Sequence, residues 1–169
     1  CLSSFSFLRG ASQPQELAAR AVELGYAALA ITDECSMAGV VRAHTALRGT
    51  PTRLIVGSEL RLSEGPLLVA LANDRSGYGS LCRLITRARR QAPKGEYRLS
   101  SADIFERLEP SHVSLLWAPT WSELQQEGSD TFATRLQNQY AGSVWLAVEL
   151  LRDGTERRHL QAATALSAR

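Results

Sequence analysis

Short apolar runs alternate along this chain with stretches of helical periodicity. Leu17, Ala18, Ala21, Val22 and Leu24 line one face and predict a helix over residues 12–25. Ser12 and Gln15 fit a capping box, Pro14 suits a first turn and Gly25 suits the stop. Residues 27–32 are apolar on both faces, which is the pattern of a covered parallel strand. A helix is expected over 38–46. A strand follows over 53–56, closing on Gly57, with 60–62 as an extension past the turn. Residues 67–72 form another apolar strand. Asn73 and Asp74 then open a helix with Tyr78, Leu81, Cys82 and Ile85 at i, i+3, i+4 and i+7. Residues 91–98 form a polar loop, and 101–108 a short capped helix. A strand over 112–118 leads to a capping box at Thr120 and Glu123. A helix over 131–140 stopped by Gly142, a strand over 144–150 and a helix over 156–168 complete the pattern. Low-complexity tracts and internal repeats are absent from the sequence.

Strands alternating with helices imply an α/β fold with a parallel sheet and right-handed crossovers. A doubly wound sheet and a β/α barrel both satisfy that order. In either, functional groups gather at the carboxyl ends of the strands. Asp33 and Glu34 end the run "YAALAITDE", and Glu59 follows Gly57 in "LIVGSEL". Adjacent carboxylates repel, so a metal, an arginine, a helix N-terminus or water must receive them.

Composition adds bounds. The 169 residues suffice for one domain with a core, and 44% hydrophobic with 21% charged residues is ordinary for a globular protein. The net charge of +2 is too small to imply nucleic-acid binding by itself. Three widely spaced cysteines, Cys1, Cys35 and Cys82, suggest neither a disulfide framework nor a CxxC site, so a reducing, cytoplasmic setting is expected. No apolar run approaches bilayer length and no basic-then-apolar leader opens the sequence, so no membrane association is expected.

The ordered segments "CLSSFSFLRGAS", "ELAARAVELGYAALAITDECSMAGVVRAH", "LIVGSEL" and "LLVALANDRSGYGSLCRLIT" resemble the N-terminal PHP (polymerase and histidinol phosphatase) domain of bacterial family-C DNA polymerases. "SFSFLRGAS" and "KGEYRLS" are most similar to the error-prone branch of that class. The resemblance implies a PHP-type distorted (β/α)7 barrel. Residues 1–169 would be a single PHP domain fragment, an incomplete barrel lacking the start of the first strand and the last barrel strand. It also implies a parent protein that synthesises DNA by nucleotidyl transfer in damage tolerance, replication and repair. The implied partners are the polymerase body of the same chain, DNA, and other mutagenesis or replication proteins.

Active PHP members hydrolyse phosphoesters with up to three metal ions. Carried over by that resemblance, Leu2 stands where a histidine ligand would be, Leu67 at another, and Pro119 near a cysteine ligand. Asp33 and Glu59 match ligand positions, while Glu34 replaces a histidine. Leucine has no lone pair to give. Asp33, Glu34 and Glu59 without imidazole would suit manganese or magnesium better than zinc. A two-metal centre needs more ligands than these three carboxylates. A vestigial site, no cofactor in this fragment and a non-catalytic structural role are therefore expected. The alternative is a living metal-dependent phosphoesterase or 3′–5′ exonuclease rebuilt on the three carboxylates.

Each residue also has a plainer role. Asp33 is equally suited to cap the next helix near Ser36, and Glu34 to be a solvated rim residue. Glu59 is equally an exposed loop residue. His44 is expected to be half-buried and hydrogen-bonded, with His112 and His159 at the surface or an interface. Trp117 and Trp121 are either core or surface left by missing strands. Arg83, Arg87 and Arg90, at i, i+4 and i+7, make one helix face cationic: a solvated face, or a contact for DNA or the polymerase body. An open barrel would also expose strand edges, through which the fragment would self-associate.

Overall fold

Local sequence signals set the ends of the elements. Glu16 accepts the N–H of Gln13 at 2.7 Å, so the capping pair lies one residue beyond the expected Ser12–Gln15. The helix it starts is α1 (Pro14–Glu23). Its end is a Schellman turn, in which Gly25 at φ +70° donates to Val22 and Tyr26 donates to Ala21. The computed structural model describes residues 1–150 and 154–167. After α1 come β1 (Ala28–Ile31), α2 (Val40–Leu47), β2 (Arg53–Arg61), β3 (Leu67–Ala72), α3 (Arg75–Arg90) and α4 (Ser101–Arg107). Then follow β4 (Val113–Trp117), α5 (Trp121–Leu124), α6 (Ser129–Gln139), β5 (Val144–Leu146) and α7 (Glu156–Ser167). The expected final helix ended at Ala168, which lies outside the described residues. The last strand is shorter than the expected 144–150.

The five strands lie in the order β1-β2-β3-β4-β5 and do not close into a barrel. β1 pairs with β2, and β4 with β5, in parallel; β3 is antiparallel to both its neighbours. This corrects the expectation of a wholly parallel sheet. The physical reason is the link 62–66: a parallel return needs a crossover of about a dozen residues or more, and this link can only make a hairpin. Leu62 donates to Pro66 and Gly65 to Leu62 within it. β2 also runs through Gly57 instead of ending there. A Cβ at Gly57 would lie 2.7 Å from the carbonyl oxygen of Ala70 in β3, so the glycine permits close strand approach. At the other edge, the Cys1 carbonyl accepts from Thr32 and the Cys1 nitrogen donates to Ala30, which flanks Ile31 as a parallel partner would.

Register separates the two faces of the sheet. One face carries Leu60, Leu68, Ala70, Val113, Leu115 and Trp117, all buried, against Leu81, Leu84 and Ala88 of α3, Ile104 and Phe105 of α4 and Leu136 of α6. A smaller cluster joins Ala18 and Ala21 of α1, Leu29 and Ile31 of β1, and Ala43 and Leu47 of α2. The opposite face carries the cross-strand row Glu59–Val69–Leu116–Trp145 and, nearby, Ile55. Ile55 and Trp145 stay exposed, so this second face is apolar and only partly covered.

Two side chains differ from expectation, and for Trp117 one of two open readings holds. His159 is buried, its Nε2 2.9 Å from the carbonyl oxygen of Pro119, because α7 folds back onto the end of β4. His44 is exposed, since Ala43 and Leu47, not His44, face the core. Trp117 belongs to the core and meets Phe132 edge-on at 5.3 Å. Among the described residues no helix is long and apolar enough to cross a membrane.

Candidate functional site

Beyond β1 the chain keeps its pairing with β2 but gains a residue. The Glu59 N–H donates to Thr32, while the Glu59 carbonyl accepts from Cys35. A regular parallel partner spans two residues between such bonds; here the span is from 32 to 35, a bulge. The bulge carries Asp33 and Glu34, and Cys35 takes up the turn at φ +43°. Such a backbone feature re-aims side chains at a strand end.

Asp33 is fully buried. Ser3 gives its N–H to Oδ1 and its hydroxyl to Oδ2, each at 2.7 Å, and the Ser6 hydroxyl gives a third bond to Oδ1 at 2.7 Å. The Asp33 carbonyl takes the Ser58 hydroxyl at 2.7 Å. Ser36 donates its N–H to Ser58, not to Asp33, so the helix-capping role expected for Asp33 is replaced by the loop 3–6. Gly39 closes the other side: a Cβ there would stand 2.6 Å from Oδ2.

Glu34 and Glu59 converge on one cation. Arg9 Nη1 donates to Glu34 Oε2 at 2.9 Å and lies 2.8 Å from Glu59 Oε2. The second contact is an ion pair without hydrogen-bond alignment, so Glu59 Oε2 is buried with no aimed donor. Tyr97 donates to Glu34 Oε1 at 2.9 Å. Glu34 is therefore a bound group with a 28% exposed side chain, not a solvated rim residue, and Glu59 is only 13% exposed. Burial pulls the Glu34 carboxyl upward, but the bonds from Arg9 and Tyr97 outweigh it and leave it below its ordinary value. Burial, with Glu34 as acceptor, raises the Tyr97 phenol. Arg89 of α3 braces the bulge from below, donating to the carbonyls of Glu34 and Cys35 at 3.2 Å each and lying over the Tyr97 ring. Burial pushes the Cys35 thiol up to about 11, so it is no nucleophile at neutral pH.

A two-metal phosphoesterase centre needs several open donors around ions roughly 3.5–4 Å apart. The residues present do not fit one. The Asp33 oxygens hold three protein hydrogen bonds, Arg9 occupies the space between Glu34 and Glu59, and Leu2 and Leu67 offer no lone pair. Pro119 is buried with its carbonyl against His159. Among the described residues no group of three or more His, Cys, Asp or Glu side chains is placed to hold a metal ion.

Arg83, Arg87 and Arg90 are exposed along α3. Arg87 Nε meets Asp103 at 3.1 Å, and Arg107 of α4 meets the same carboxylate at 3.6 Å. Arg89, in the same basic run, turns instead to the bulge.

Sequence reasoning gave no role to Ser3, Ser6, Arg9 or Tyr97, and Arg89 stood out only as part of the basic run 83–98. Arg9 carried a faint signal: it is a lone arginine in a loop next to Gly10. Leu8 before it adopts φ +61° and is fully exposed, and the Arg9 and Gly10 N–H groups both return to Ser6. That turn aims Arg9 back at the strand ends.

The fold and this cluster define a partial β/α barrel with carboxylates at its strand ends. The PHP domain family matches residues 1–128, and the chain belongs to that family. An error-prone DNA polymerase of Pseudomonas paraeruginosa is 50% identical over 169 residues, covering 100% of this chain and 16% of the relative. One of Aromatoleum aromaticum is 48% identical over 170 residues, covering 99% and 16%. The chain thus spans about a sixth of the length of these relatives. A solved structure from Bifidobacterium adolescentis, described as a metal-dependent phosphoesterase, shares the fold at TM-score 0.64 and 14% identity, covering 99% of this chain and 82% of that one.

Proposed function

We propose that this chain is the non-catalytic PHP domain of an error-prone, damage-tolerant DNA polymerase, bracing the polymerase body of the same polypeptide. Nucleotidyl transfer on DNA then resides outside these residues, with replication or mutagenesis proteins as further partners. The kinship with error-prone DNA polymerases supports the polymerase setting. One observation carries the non-catalytic reading: Arg9 lies between Glu34 and Glu59, a cation already neutralising the carboxylates that a metal would need. Three free thiols, one of them exposed, suit a reducing cytoplasm. When the chain is alone, the half-covered sheet face around Ile55 and Trp145 pairs with a second copy.

Elemental analysis of the purified protein, with a phosphodiester and DNA 3′-end hydrolysis assay in manganese, tests this reading. The expected result is substoichiometric metal and no metal-dependent hydrolysis. Stoichiometric manganese or magnesium, with hydrolysis lost in Asp33→Ala/Glu59→Ala, establishes the phosphoesterase or 3′–5′ exonuclease instead.

A further inference from the structure

α3 presents two different basic faces. Arg89 turns inward to the bulge, while Arg83, Arg87 and Arg90 fall within about 60° of one another around the helix. With Thr86, Gln91 and Arg107 they line a groove of about 500 Å³ between α3 and α4. Its charge is unbalanced. Asp103 is shared by Arg87 and Arg107, and Ser100 caps it through both N–H and hydroxyl. Among the described residues Arg83 and Arg90 make no ion pair; Arg83 reaches only the Ser80 hydroxyl. Four guanidinium groups thus face one carboxylate.

We infer that this groove seats the sugar-phosphate backbone of duplex DNA. Three arginines along about 10 Å of helix span about three phosphate steps of one strand, which recur every ~3.4 Å of axis. Guanidinium forks suit phosphate oxygens, and a groove without aromatic side chains has no platform on which unpaired bases could stack. Contacts of this kind position a duplex without reading its sequence. The groove is separate from the Asp33–Arg9 cluster, and its test reads binding, not metal content or hydrolysis.

The test is fluorescence anisotropy of the protein with a labelled 20-base-pair duplex across a salt series. Arg83→Gln and Arg90→Gln break no ion pair. Each should weaken binding about eightfold at 0.1 M salt and flatten the log–log salt slope by about 0.9. Arg90→Lys should keep the slope. Arg48→Gln, an equal charge loss at the end of α2, should change neither. Thermal melting should find all four variants folded. The inference is overturned if the two glutamine variants bind as the parent does, or if Arg48→Gln weakens binding equally. Tighter binding of the single strand also overturns it. So does competition by polyglutamate matching the duplex charge for charge, which would mark an acidic protein surface as the partner.

Discussion

Ser3 grips both oxygens of Asp33, one with its backbone N–H and the other with its hydroxyl, each at 2.7 Å. The pair spans thirty residues and joins the first loop to the end of β1. It turns a buried carboxylate into a structural clasp. Replacing Asp33 with Asn removes the charge and sets an amide donor against the Ser3 hydroxyl at one oxygen position, or against the Ser3 N–H and the Ser6 hydroxyl at the other. The expected loss is about 2–4 kcal/mol, since bonds to a charged acceptor are each worth about 1.5–3 kcal/mol and the vacated donors stay buried. Ser3→Ala should cost less, because the N–H bond survives. Urea unfolding measures both.

Arg9→Gln should leave Glu34 and Glu59 facing each other without their cation. The variant should melt below the parent, and manganese should then raise its melting temperature while leaving the parent unmoved. A thermal shift series in manganese reads this directly. Equal shifts in both proteins would show that Arg9 does not compete with a metal.

Acid should loosen the same cluster. The Glu34 carboxyl is lowered in the folded state from its ordinary value of 4.5, because Arg9 and Tyr97 outweigh the cost of burial. Its contribution is therefore complete above 4.5 and disappears as pH falls through the lowered folded value. Urea midpoints at pH 7 and pH 3 should differ more for the parent than for Arg9→Gln or Tyr97→Phe. An unchanged difference would place the acid sensitivity elsewhere.

Gly39→Ala should destabilise the fold, although its backbone is ordinary. The added methyl would meet Asp33 Oδ2 at 2.6 Å and the Ser3 hydroxyl at 3.1 Å, so the clasp must open or α2 must shift. A loss of about 1–3 kcal/mol is expected from such overpacking. Gly25→Ala, at φ +70° with open space around it, provides a comparison in which only backbone strain acts.

Local chemistry explains why much of the fold was legible. Asp74 capping α3 through Gly77, the Thr120–Glu123 box and the Gly25 stop all act over a few residues. The direction of β3 was also within reach, because the link 62–66 is too short for a crossover. Arg9 meeting Glu34 and Glu59, Tyr97 meeting Glu34, and Ser6 meeting Asp33 were not legible. They join residues 25 to 63 apart, and only the bulge after β1 brings them together. The three carboxylates stood out by type and position, while the groups that hold them did not.

The partly covered sheet face makes a solution prediction. Ile55 and Trp145 are large, apolar and exposed on it. The 169-residue chain should self-associate in sedimentation experiments, and Ile55→Glu with Trp145→Glu should return it to monomer. A parent that sediments as monomer at all concentrations refutes this.

α3 sends Arg89 to the strand ends and Arg83, Arg87 and Arg90 to the groove, so its length is fixed between two fittings. Inserting one residue between Arg83 and Arg89 would turn them by about 100° relative to each other, and would unseat one fitting or the other. Point changes at the solvent-facing positions of this helix are tolerable, those at buried Leu81, Leu84 and Ala88 are not, and insertions and deletions shift every position at once. Divergence here is expected to proceed by substitution alone.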